Sequence, residues 1–312
     1  MENSETKCIL CNRGQFNLLY PGKDRLEQLP GTFQVVECTN CGLITLLPRK
    51  SAQEIALHYP ENYVCYCQAV EDEKVWLKRL DRERGRERRC KEVLKRSVLK
   101  GRILDIGCAT GIFLSGMQLH GWDCYGVEPS EYAANYAKTR FGLKVFHGYL
   151  EDMNYPDHYF DVVTLWDVLE HIPDPGRTLD IIHRILKPDG ILIGTLPNAS
   201  AWERGWFGEY WAGWEVPRHY NTFTPKTITT FLNIHNLKVE EIFSFTGRHG
   251  VFLMSVGFYL ADWKRPEWFK KGLLHLLQSL FFRIIAHPYY LFAELLNKSP
   301  IMTFCCRVLK ET

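Results

Sequence analysis

The sequence predicts an α/β fold in which a doubly wound, mostly parallel sheet occupies residues 101–247. Apolar runs of strand length recur there, at residues 102–107, 122–127, 143–147, 160–166 and 190–196. Stretches with helical spacing of apolar residues separate these runs, at residues 111–120, 130–140 and 174–187. Continuously apolar strands that alternate with helices are typical of a parallel sheet covered on both faces. Such sheets bind ligands at the carboxyl ends of their strands, so we expect functional motifs there.

Composition limits the class of protein. The chain has 312 residues, of which 46% are hydrophobic and 24% charged, and its formal net charge is +2. These values are typical of a globular protein. A nucleic-acid binder usually shows a marked basic excess, so nucleic acid is not the expected partner. The start, MENSETKCIL, has no basic segment followed by an apolar one, and we therefore expect a cytoplasmic protein.

Four cysteines predict a metal site at the amino terminus. Cys8 and Cys11 form one C-x2-C pair, and Cys38 and Cys41 form another. Each pair offers two thiolates from one tight turn, which is the spacing of a tetrahedral zinc site. Residues 1–48 are therefore predicted to be a zinc ribbon whose Zn²⁺ is structural, because four thiolates leave no open position for catalysis. A chance arrangement or a redox pair is the alternative.

Residues 49–100 are predicted to form a linker and a helical lid. Between residues 71 and 102, thirteen Lys and Arg outnumber seven Asp and Glu, and apolar residues recur at rough helical spacing. The pattern favours a solvated helix that packs one stripe on the next domain, and a phosphate-binding face is the alternative. Cys65 and Cys67 are expected to be packing thiols.

A small-residue turn follows the first strand of the predicted sheet, in RILDIGCATGIFL. Gly107, Ala109 and Gly111 let the chain turn sharply and let a ligand approach the backbone N–H groups of the next helix. Gly111 comes four residues after Gly107, whereas a dinucleotide fingerprint places its last glycine five residues after the first, so NAD or FAD is the weaker interpretation of this turn. Asp105 precedes this turn, and Glu128 ends the second strand, where a carboxylate can accept both ribose hydroxyls. Glu128 is alternatively an acid at the amino terminus of the following helix.

These motifs resemble those of class I S-adenosylmethionine-dependent methyltransferases. The matching segments are LDIGCATGIFL, GVEPS, YLED and FDVVTLWDVLEHIPDP, and the similarity covers residues 102–246. Ala109 replaces the glycine that is commonest at the middle position. The resemblance implies a Rossmann-like sheet of seven strands with the last strand antiparallel. Within this family, the sequence resembles a bacterial group that also carries an amino-terminal four-cysteine zinc ribbon.

The resemblance also implies which residues hold S-adenosylmethionine. The methionine part would face Asp105, Gly107, Cys108, Ala109, Thr110 and Gly111. The ribose and adenine would lie against Glu128, Pro129, Leu150 and Glu151. The reacting sulfonium would be bordered by Trp166 and Asp167, which suits a cation because carboxylates and an aromatic face attract it.

Transfer to a hydroxyl also requires a base, and WDVLEH is the first candidate. If a helical turn begins at Asp167, then Glu170 and His171 lie on nearly the same face. This D-x-x-E-H set resembles the E-x-x-E-H set with which ubiquinone-type O-methyltransferases hold a divalent ion. Asp167 and His171 are therefore catalytic candidates, with a divalent cation on Asp167, Glu170 and His171 as an additional hypothesis. Alternatively, Glu170 and His171 satisfy loop groups before Pro173.

The second candidate lies in a long connection after the fifth strand. Residues 202–228, here called the aromatic loop, carry four tryptophans within thirteen residues and then Arg218, His219 and Tyr220. Long connections in compact domains are commonly lids or binding loops. The loop resembles the P-R-H loop of the ribbon-bearing methyltransferases, and His219 is our candidate general base. A structural role for the aromatic rings and His219 is the alternative.

The end of the predicted sheet is interrupted. Residues 248–298, here called the insertion, intervene before a final strand at 301–310, so that residues 299–312 return to the methyltransferase domain. The insertion has two apolar stretches, GVFLMSVGFYLADW and GLLHLLQSLFFRIIAHPYYLFAELL, and neither is a clean span of about 20 apolar residues. An amphipathic helical pair is predicted, which would touch a membrane surface through residues 250–296, form a dimer contact or cover the sheet.

The predicted function is methylation of a small acceptor. The expected target is an oxygen of a sugar, of a glycan precursor or of a natural product, by association with the ribbon-bearing group. The glycan precursor could be linked to a lipid. One alternative is an RNA methyltransferase that uses the ribbon and the basic helix. The other is a non-catalytic zinc-ribbon interaction protein on a methyltransferase scaffold. The oligomeric state is open.

Overall fold

The computed structural model describes residues 7–51, 54–55, 57–60, 68–97 and 100–309. Cys65 and Cys67 lie outside the described residues. The cysteines within these ranges carry free thiols. No helix in the described ranges is both long enough and apolar enough to cross a bilayer.

Strands and helices alternate through most of the chain. The strands are β1 (Phe16–Gly22), β2 (Phe33–Cys38), β3 (Ile44–Leu47), β4 (Arg102–Ile106), β5 (Asp123–Glu128), β6 (Lys144–His147), β7 (Phe160–Trp166), β8 (Leu186–Pro197), β9 (Asn221–Thr222), β10 (Leu237–Phe243) and β11 (Ile301–Val308). The helices are α1 (Trp76–Arg96), α2 (Ile112–Leu119), α3 (Glu131–Phe141), α4 (Pro175–Ile185), α5 (Trp202–Phe207), α6 (Pro225–Ile234), α7 (Arg248–Ala261), α8 (Glu267–Gln278) and α9 (Leu280–Leu295). Short 3₁₀ turns include Leu150–Asp152, Leu169–His171 and Ala212–Trp214.

The main sheet has seven strands in the order β10-β11-β8-β7-β4-β5-β6. β4 pairs in parallel with both β5 and β7, and β11 runs antiparallel to β8 and β10. The predicted mostly parallel sheet with an antiparallel last strand is therefore confirmed. From β4 the chain builds the sheet outward through β5 and β6, and then returns to add β7 and β8 on the other side. The crevice at this switch point, at the carboxyl ends of β4 and β7, is where such folds bind ligands.

Helix boundaries follow local chemistry. Ser130 begins α3 by accepting a hydrogen bond from the Ala133 N–H. Thr224 begins α6 with Pro225 at its first position, as the sequence predicts, and its side chain accepts from the Thr227 N–H. These caps fix the directions in which the chain leaves the carboxyl ends of the strands.

The ribbon sheet includes a strand from the aromatic loop. Its order is β1-β2-β3-β9, in which Ile44 pairs with Thr222 and Thr45 with Asn221. The Leu46 N–H also donates to the Tyr220 carbonyl at 3.0 Å. The aromatic loop is thus hydrogen-bonded to the ribbon along the residues that follow His219.

The insertion contains three helices, α7, α8 and α9, where the sequence suggests a pair. The second apolar stretch divides at Ser279, which begins α9 by accepting from the Phe282 N–H at 3.2 Å. A serine cap competes with helix continuation because its side chain replaces the backbone acceptor of the preceding turn.

Candidate functional site

The turn after β4 requires glycine at two positions. Gly107 has φ of 67° and Gly111 has φ of 78°. A Cβ atom would lie 2.7 Å from Val168 Cγ2 at Gly107, and 2.6 Å from Leu143 Cδ1 at Gly111. Ala109 has φ of 46°, a left-handed conformation that alanine adopts at some cost. The turn therefore brings backbone N–H groups to the amino terminus of α2 with little side-chain cover.

Two buried carboxylates flank this turn. Asp105 accepts a hydrogen bond from Thr164 Oγ1 at 2.6 Å, and burial raises the pKa of Asp105 to about 7. Glu128 accepts from the N–H groups of Ala109 and Ser130, each at 2.8 Å, and burial also raises the pKa of Glu128. Its contact with Ser130 is the helix-start contact considered from the sequence. Each carboxylate oxygen of Glu128 retains a second lone pair for a ligand hydroxyl.

The residues expected near adenine lie at the carboxyl end of β6. Leu150 is buried in the core beneath the 3₁₀ turn that it begins. Glu151 accepts from Thr178 Oγ1 at 2.6 Å, which ties this turn to α4. Pro129 is exposed between β5 and α3. These residues border the same edge of the sheet as Glu128.

Arg89 of α1 lies over the position expected for the sulfonium. Its guanidinium carbon is 5.4 Å from the centre of the Trp166 ring, and its Nη2 is 3.2 Å from Asp167 Oδ2. The other Asp167 oxygen accepts from Thr195 Oγ1 at 3.0 Å. A cation thus already occupies this aromatic and acidic environment. The sequence gives no signal that separates Arg89 from the other cations of α1.

The structure changes the predicted D-x-x-E-H arrangement. Asp167 has φ of 58°, so no helical turn begins there, and the 3₁₀ turn begins at Leu169. Glu170, His171 and His219 instead bring their ligand atoms within 4.8 Å of one another. Asp167 is not part of this group, and the predicted cation set of Asp167, Glu170 and His171 is corrected accordingly. We call Glu170, His171 and His219 the base cluster.

Glu170 and His219 of the base cluster are buried, and His171 is half-buried. Neither oxygen of the Glu170 carboxyl has a hydrogen-bond partner among the described residues, and burial raises the pKa of Glu170 well above its usual value. Burial lowers the pKa of His171 to about 3 and also lowers that of His219. The two imidazole rings are 4.5 Å apart, centre to centre. At neutral pH both rings are therefore neutral and carry a basic lone pair.

Hydrogen bonds select which nitrogen of His219 is basic. Its Nδ1 lies 2.9 Å from the Gly213 carbonyl, which can only accept, so Nδ1 carries the proton and Nε2 the lone pair. The Nδ1 of His171 lies 3.2 Å from the Arg218 carbonyl and 2.8 Å from Tyr59 Oη. Tyr59 from the linker was not singled out from the sequence.

A buried ion cluster holds the residue before His219. Arg218 Nη2 lies 3.1 Å from Asp24 Oδ1, with both side chains fully buried, and Arg218 Nε donates to Glu215 Oε1 at 2.9 Å. Asp24 also contacts His58 Nδ1 at 2.7 Å. We call Asp24, His58 and Arg218 the ion cluster. It joins the ribbon and the linker to the aromatic loop.

Two tryptophans of the aromatic loop have a packing role. Trp211 and Trp214 are buried with Phe33 and Ile44 of the ribbon sheet. Trp206 is 59% exposed. The structural alternative considered from the sequence therefore holds for Trp211 and Trp214.

The four cysteines of the ribbon converge. The Cys8 and Cys41 sulfurs are 3.5 Å apart, as are those of Cys11 and Cys38, and all four lie within 4.8 Å of one another. Four thiolates at about 2.3 Å from one zinc require sulfur separations close to these. The donor set therefore fits tetrahedral Zn²⁺.

Fold and site together define a class I S-adenosylmethionine-dependent methyltransferase architecture. A family model described as "Methyltransferase domain" matches residues 80–242, more than half of the chain. The chain belongs to this family, which confirms the methyltransferase family predicted from the sequence motifs. A crystal structure assigned as a sarcosine dimethylglycine methyltransferase of Galdieria sulphuraria has the same fold, with a TM-score of 0.51 and 14% identity, over 80% of this chain and 91% of that one.

Curated relatives match part of the chain. The ubiquinone biosynthesis O-methyltransferase of Dechloromonas aromatica is 26% identical over 153 residues, which are 45% of this chain and 66% of the relative. The protein of the same name from Pseudomonas syringae pv. tomato is 35% identical over 114 residues, 34% of this chain and 49% of the relative. The chain thus spans between about half and just under two thirds of the length of these relatives.

Proposed function

We propose that the protein transfers a methyl group from S-adenosylmethionine to a hydroxyl of a small-molecule acceptor. One observation carries the proposal: the glycine turn and its two buried carboxylates lie at the switch point of the sheet, and the aromatic loop brings His219 to Glu170 and His171, which follow the neighbouring strand β7. Cofactor and acceptor would then meet at one edge of the sheet. Family membership supports the reaction type.

We assign the cofactor contacts to the carboxyl ends of β4, β5 and β7. Asp105 and residues 107–111 would hold the methionine part, Glu128 with Pro129 the ribose, and Leu150 with Glu151 the adenine. Trp166 and Asp167 would border the sulfonium, which supplies an activated methyl group. Arg89 would have to move aside or turn toward the methionine carboxylate, because two cations compete for the same partners.

His219 is the proposed general base. Its Nε2 lone pair would accept the hydroxyl proton as oxygen attacks the methyl carbon, while His171 and Asp167 orient the acceptor. Methyl transfer is an in-line displacement, so alignment is the main task of the protein, and it can contribute about 7–11 kcal/mol. The alternative is a divalent cation on the base cluster. The Glu170 oxygens, which find no hydrogen-bond partner within the described ranges, fit one, and it would lower the pKa of the acceptor hydroxyl.

An oxygen acceptor is supported by the relatives named as ubiquinone biosynthesis O-methyltransferases. Within that class we propose a sugar, a glycan precursor or a natural product. A lipid-linked glycan is one form of this proposal, and it would bring the protein to the inner surface of a membrane. The reaction is tested by incubating the protein with methyl-labelled cofactor and an extract of small metabolites and lipid-linked glycans, then identifying methylated products by mass. Transfer to RNA alone would contradict the acceptor class.

RNA is the weaker acceptor because α1 uses many of its cations internally. Arg86 pairs with Glu71, Arg89 with Asp167, and Arg96 with Glu92. These ion pairs partly neutralise the positive charge of α1 and so weaken its attraction for RNA phosphates. A non-catalytic interaction protein is also less favoured, because it has no need for a buried carboxyl that lies beside two imidazoles and has no hydrogen-bond partner in the described part of the chain.

Glu128→Gln is expected to weaken S-adenosylmethionine binding by about tenfold to a hundredfold. Hydrogen bonds to a charged acceptor are each worth about 1.5–3 kcal/mol, and the amide also presents a donor toward the N–H groups of Ala109 or Ser130. Isothermal titration calorimetry measures the change. Glu131→Gln, an exposed acid at the start of α3, is the matched control and should bind normally. Equal affinity of Glu128→Gln and wild type would refute the ribose assignment.

We also propose that Cys8, Cys11, Cys38 and Cys41 hold a structural zinc ion. Cys38→Ser should purify without the equimolar zinc of the wild type, measured by plasma mass spectrometry, and should unfold at lower urea because metal binding stabilises the folded ribbon. Cys90→Ser also alters a buried thiol but should retain zinc. Normal zinc content in Cys38→Ser would contradict the site.

A further inference from the structure

The outward face of α9 is apolar along its whole length. Leu280, Phe281, Ile284, Ile285, Phe292 and Leu295 are each more than half exposed. They lie on one face of the helix, with Pro288 on the same face between Ile285 and Phe292, and so form one stripe, about 24 Å long at 1.5 Å per residue. A globular protein rarely exposes such a continuous patch without a function.

The opposite face of α9 already has its partner. Tyr290 and Ala293 are buried, the Arg248 guanidinium of α7 contacts Glu294 Oε2 at 2.6 Å, and His249 Nδ1 lies 3.1 Å from Tyr290 Oη. The helix is thus fixed to the protein by one side. Its apolar stripe is not needed for that packing.

The neighbouring helix α8 has the same character. None of its residues is buried, and Trp268 is 76% exposed. An exposed tryptophan beside aliphatic side chains is typical of helices that lie in the interface of a bilayer, where the ring sits at headgroup level.

The positive charge of the region around α8 and α9 favours an anionic partner. Residues 261–298 contain six Lys and Arg against three Asp and Glu. Two of the acids are already paired, Glu267 with Lys270 and Glu294 with Arg248. Lys264, Arg265 and Lys271 remain exposed. A second copy of the chain would bring the same positive excess to the contact, whereas an anionic bilayer offers the opposite charge.

We propose that α8 and α9 dock the protein on the surface of an anionic phospholipid bilayer, with the apolar stripe of α9 entering the acyl boundary. The insertion also contacts the aromatic loop, because the Ala212 N–H donates to Ser255 Oγ at 2.8 Å and Tyr289 Oη donates to Glu203 Oε1 at 3.3 Å. Docking would therefore hold the loop that carries His219 next to the membrane. Delivery of a lipid-linked acceptor from that surface rests on the proposed function, whereas docking itself does not.

Vesicle flotation of the full chain tests the docking. The wild type should float with vesicles of phosphatidylcholine mixed with phosphatidylglycerol, and less with phosphatidylcholine alone or at raised salt. Ile284→Glu should lower the partition coefficient by about tenfold to a hundredfold, since it removes one isoleucine from the acyl boundary and adds an anion. Lys271→Glu should weaken only the binding to anionic vesicles. Leu119→Glu, at a leucine 76% exposed on α2, is the matched control and should float as the wild type does.

Three other outcomes of these measurements would contradict the docking proposal. Equal flotation of Ile284→Glu and wild type, or no flotation of the wild type, would remove the bilayer as partner. A dimer seen by light scattering and abolished by Ile284→Glu would assign the stripe to a second copy instead. Because flotation needs no methyl transfer, its failure leaves the methyltransferase activity to be judged by its own assay.

Discussion

His219→Gln is expected to lower kcat by about a hundredfold to ten-thousandfold while leaving the affinity for S-adenosylmethionine unchanged. A positioned general base contributes a factor of this size, and glutamine can donate to the Gly213 carbonyl but offers no basic lone pair. Single-turnover rates with labelled cofactor measure the loss, and calorimetry measures the cofactor affinity. His235→Gln is the matched control, because His235 is partly buried at the end of α6 and pairs with Asp180.

The pH profile gives an independent readout. The base acts when it is deprotonated, so activity should fall as the pH decreases through the pKa of His219. Burial lowers that pKa, which places the acid limb below 6.5 and leaves activity nearly constant between about pH 7 and 8. Activity that is unaffected by a chelator but lost in His219→Gln supports base catalysis. Activity that a chelator removes and a divalent cation restores, in protein whose ribbon keeps its zinc throughout, would assign the base cluster to a metal instead.

Periodicity and motif spacing were sufficient to predict the sheet. Each apolar run from residue 102 to 196 overlaps a strand of the main sheet, because strands buried on both faces must be apolar throughout. The insertion is less well predicted. Its second apolar stretch is two helices, since a single serine cap ends one and begins the next, and a run of leucines hides that boundary.

Sequence analysis predicted the part of the site formed by consecutive strand ends, but not the contacts between segments that are distant in the sequence. Gly107, Gly111 and Glu128 lie together because consecutive parallel strands end at one edge of the sheet. The proximity of His219 to Glu170 and the position of Arg89 over Trp166 depend on tertiary packing of distant segments. Sequence spacing carries no information on such contacts. The helical turn expected at Asp167 was wrong because Asp167 adopts a left-handed backbone conformation.

The ion cluster is the clearest feature that sequence analysis missed. Asp24 and Arg218 are separated by 194 residues, and each looks like an ordinary surface charge in its local context. Burial alone would raise the pKa of Asp24, but hydrogen bonds from the Glu27 N–H, His58 and Arg218 lower it. The ribbon thereby fixes the backbone next to His219 through a charge contact as well as through β9.

Asp24→Asn is therefore expected to lower the free energy of unfolding by about 3–5 kcal/mol. The amide keeps the size of the side chain and an oxygen for the N–H groups of Leu26 and Glu27. Its NH₂ group, however, faces the donors of His58 and Arg218, and the buried guanidinium loses an opposite charge. Urea denaturation at pH 7 measures the change. The control is Asp157→Asn, which alters an exposed pair with Arg184 and should change stability by less than about 1 kcal/mol.

Lowering the pH should reduce the difference in the free energy of unfolding between Asp24→Asn and the wild type. A carboxylate whose pKa is lowered in the folded state stabilises the protein above its unfolded pKa of about 3.9, and this contribution is lost as the pH falls through the lowered value. The stability gap is therefore full at pH 7 and narrows below about pH 4. If the ion cluster also positions His219, Asp24→Asn will lower kcat and leave cofactor affinity unchanged under conditions where it is folded. A variant that is destabilised but has normal kcat would restrict the ion cluster to a structural role, because only positioning of the base couples Asp24 to the chemical step.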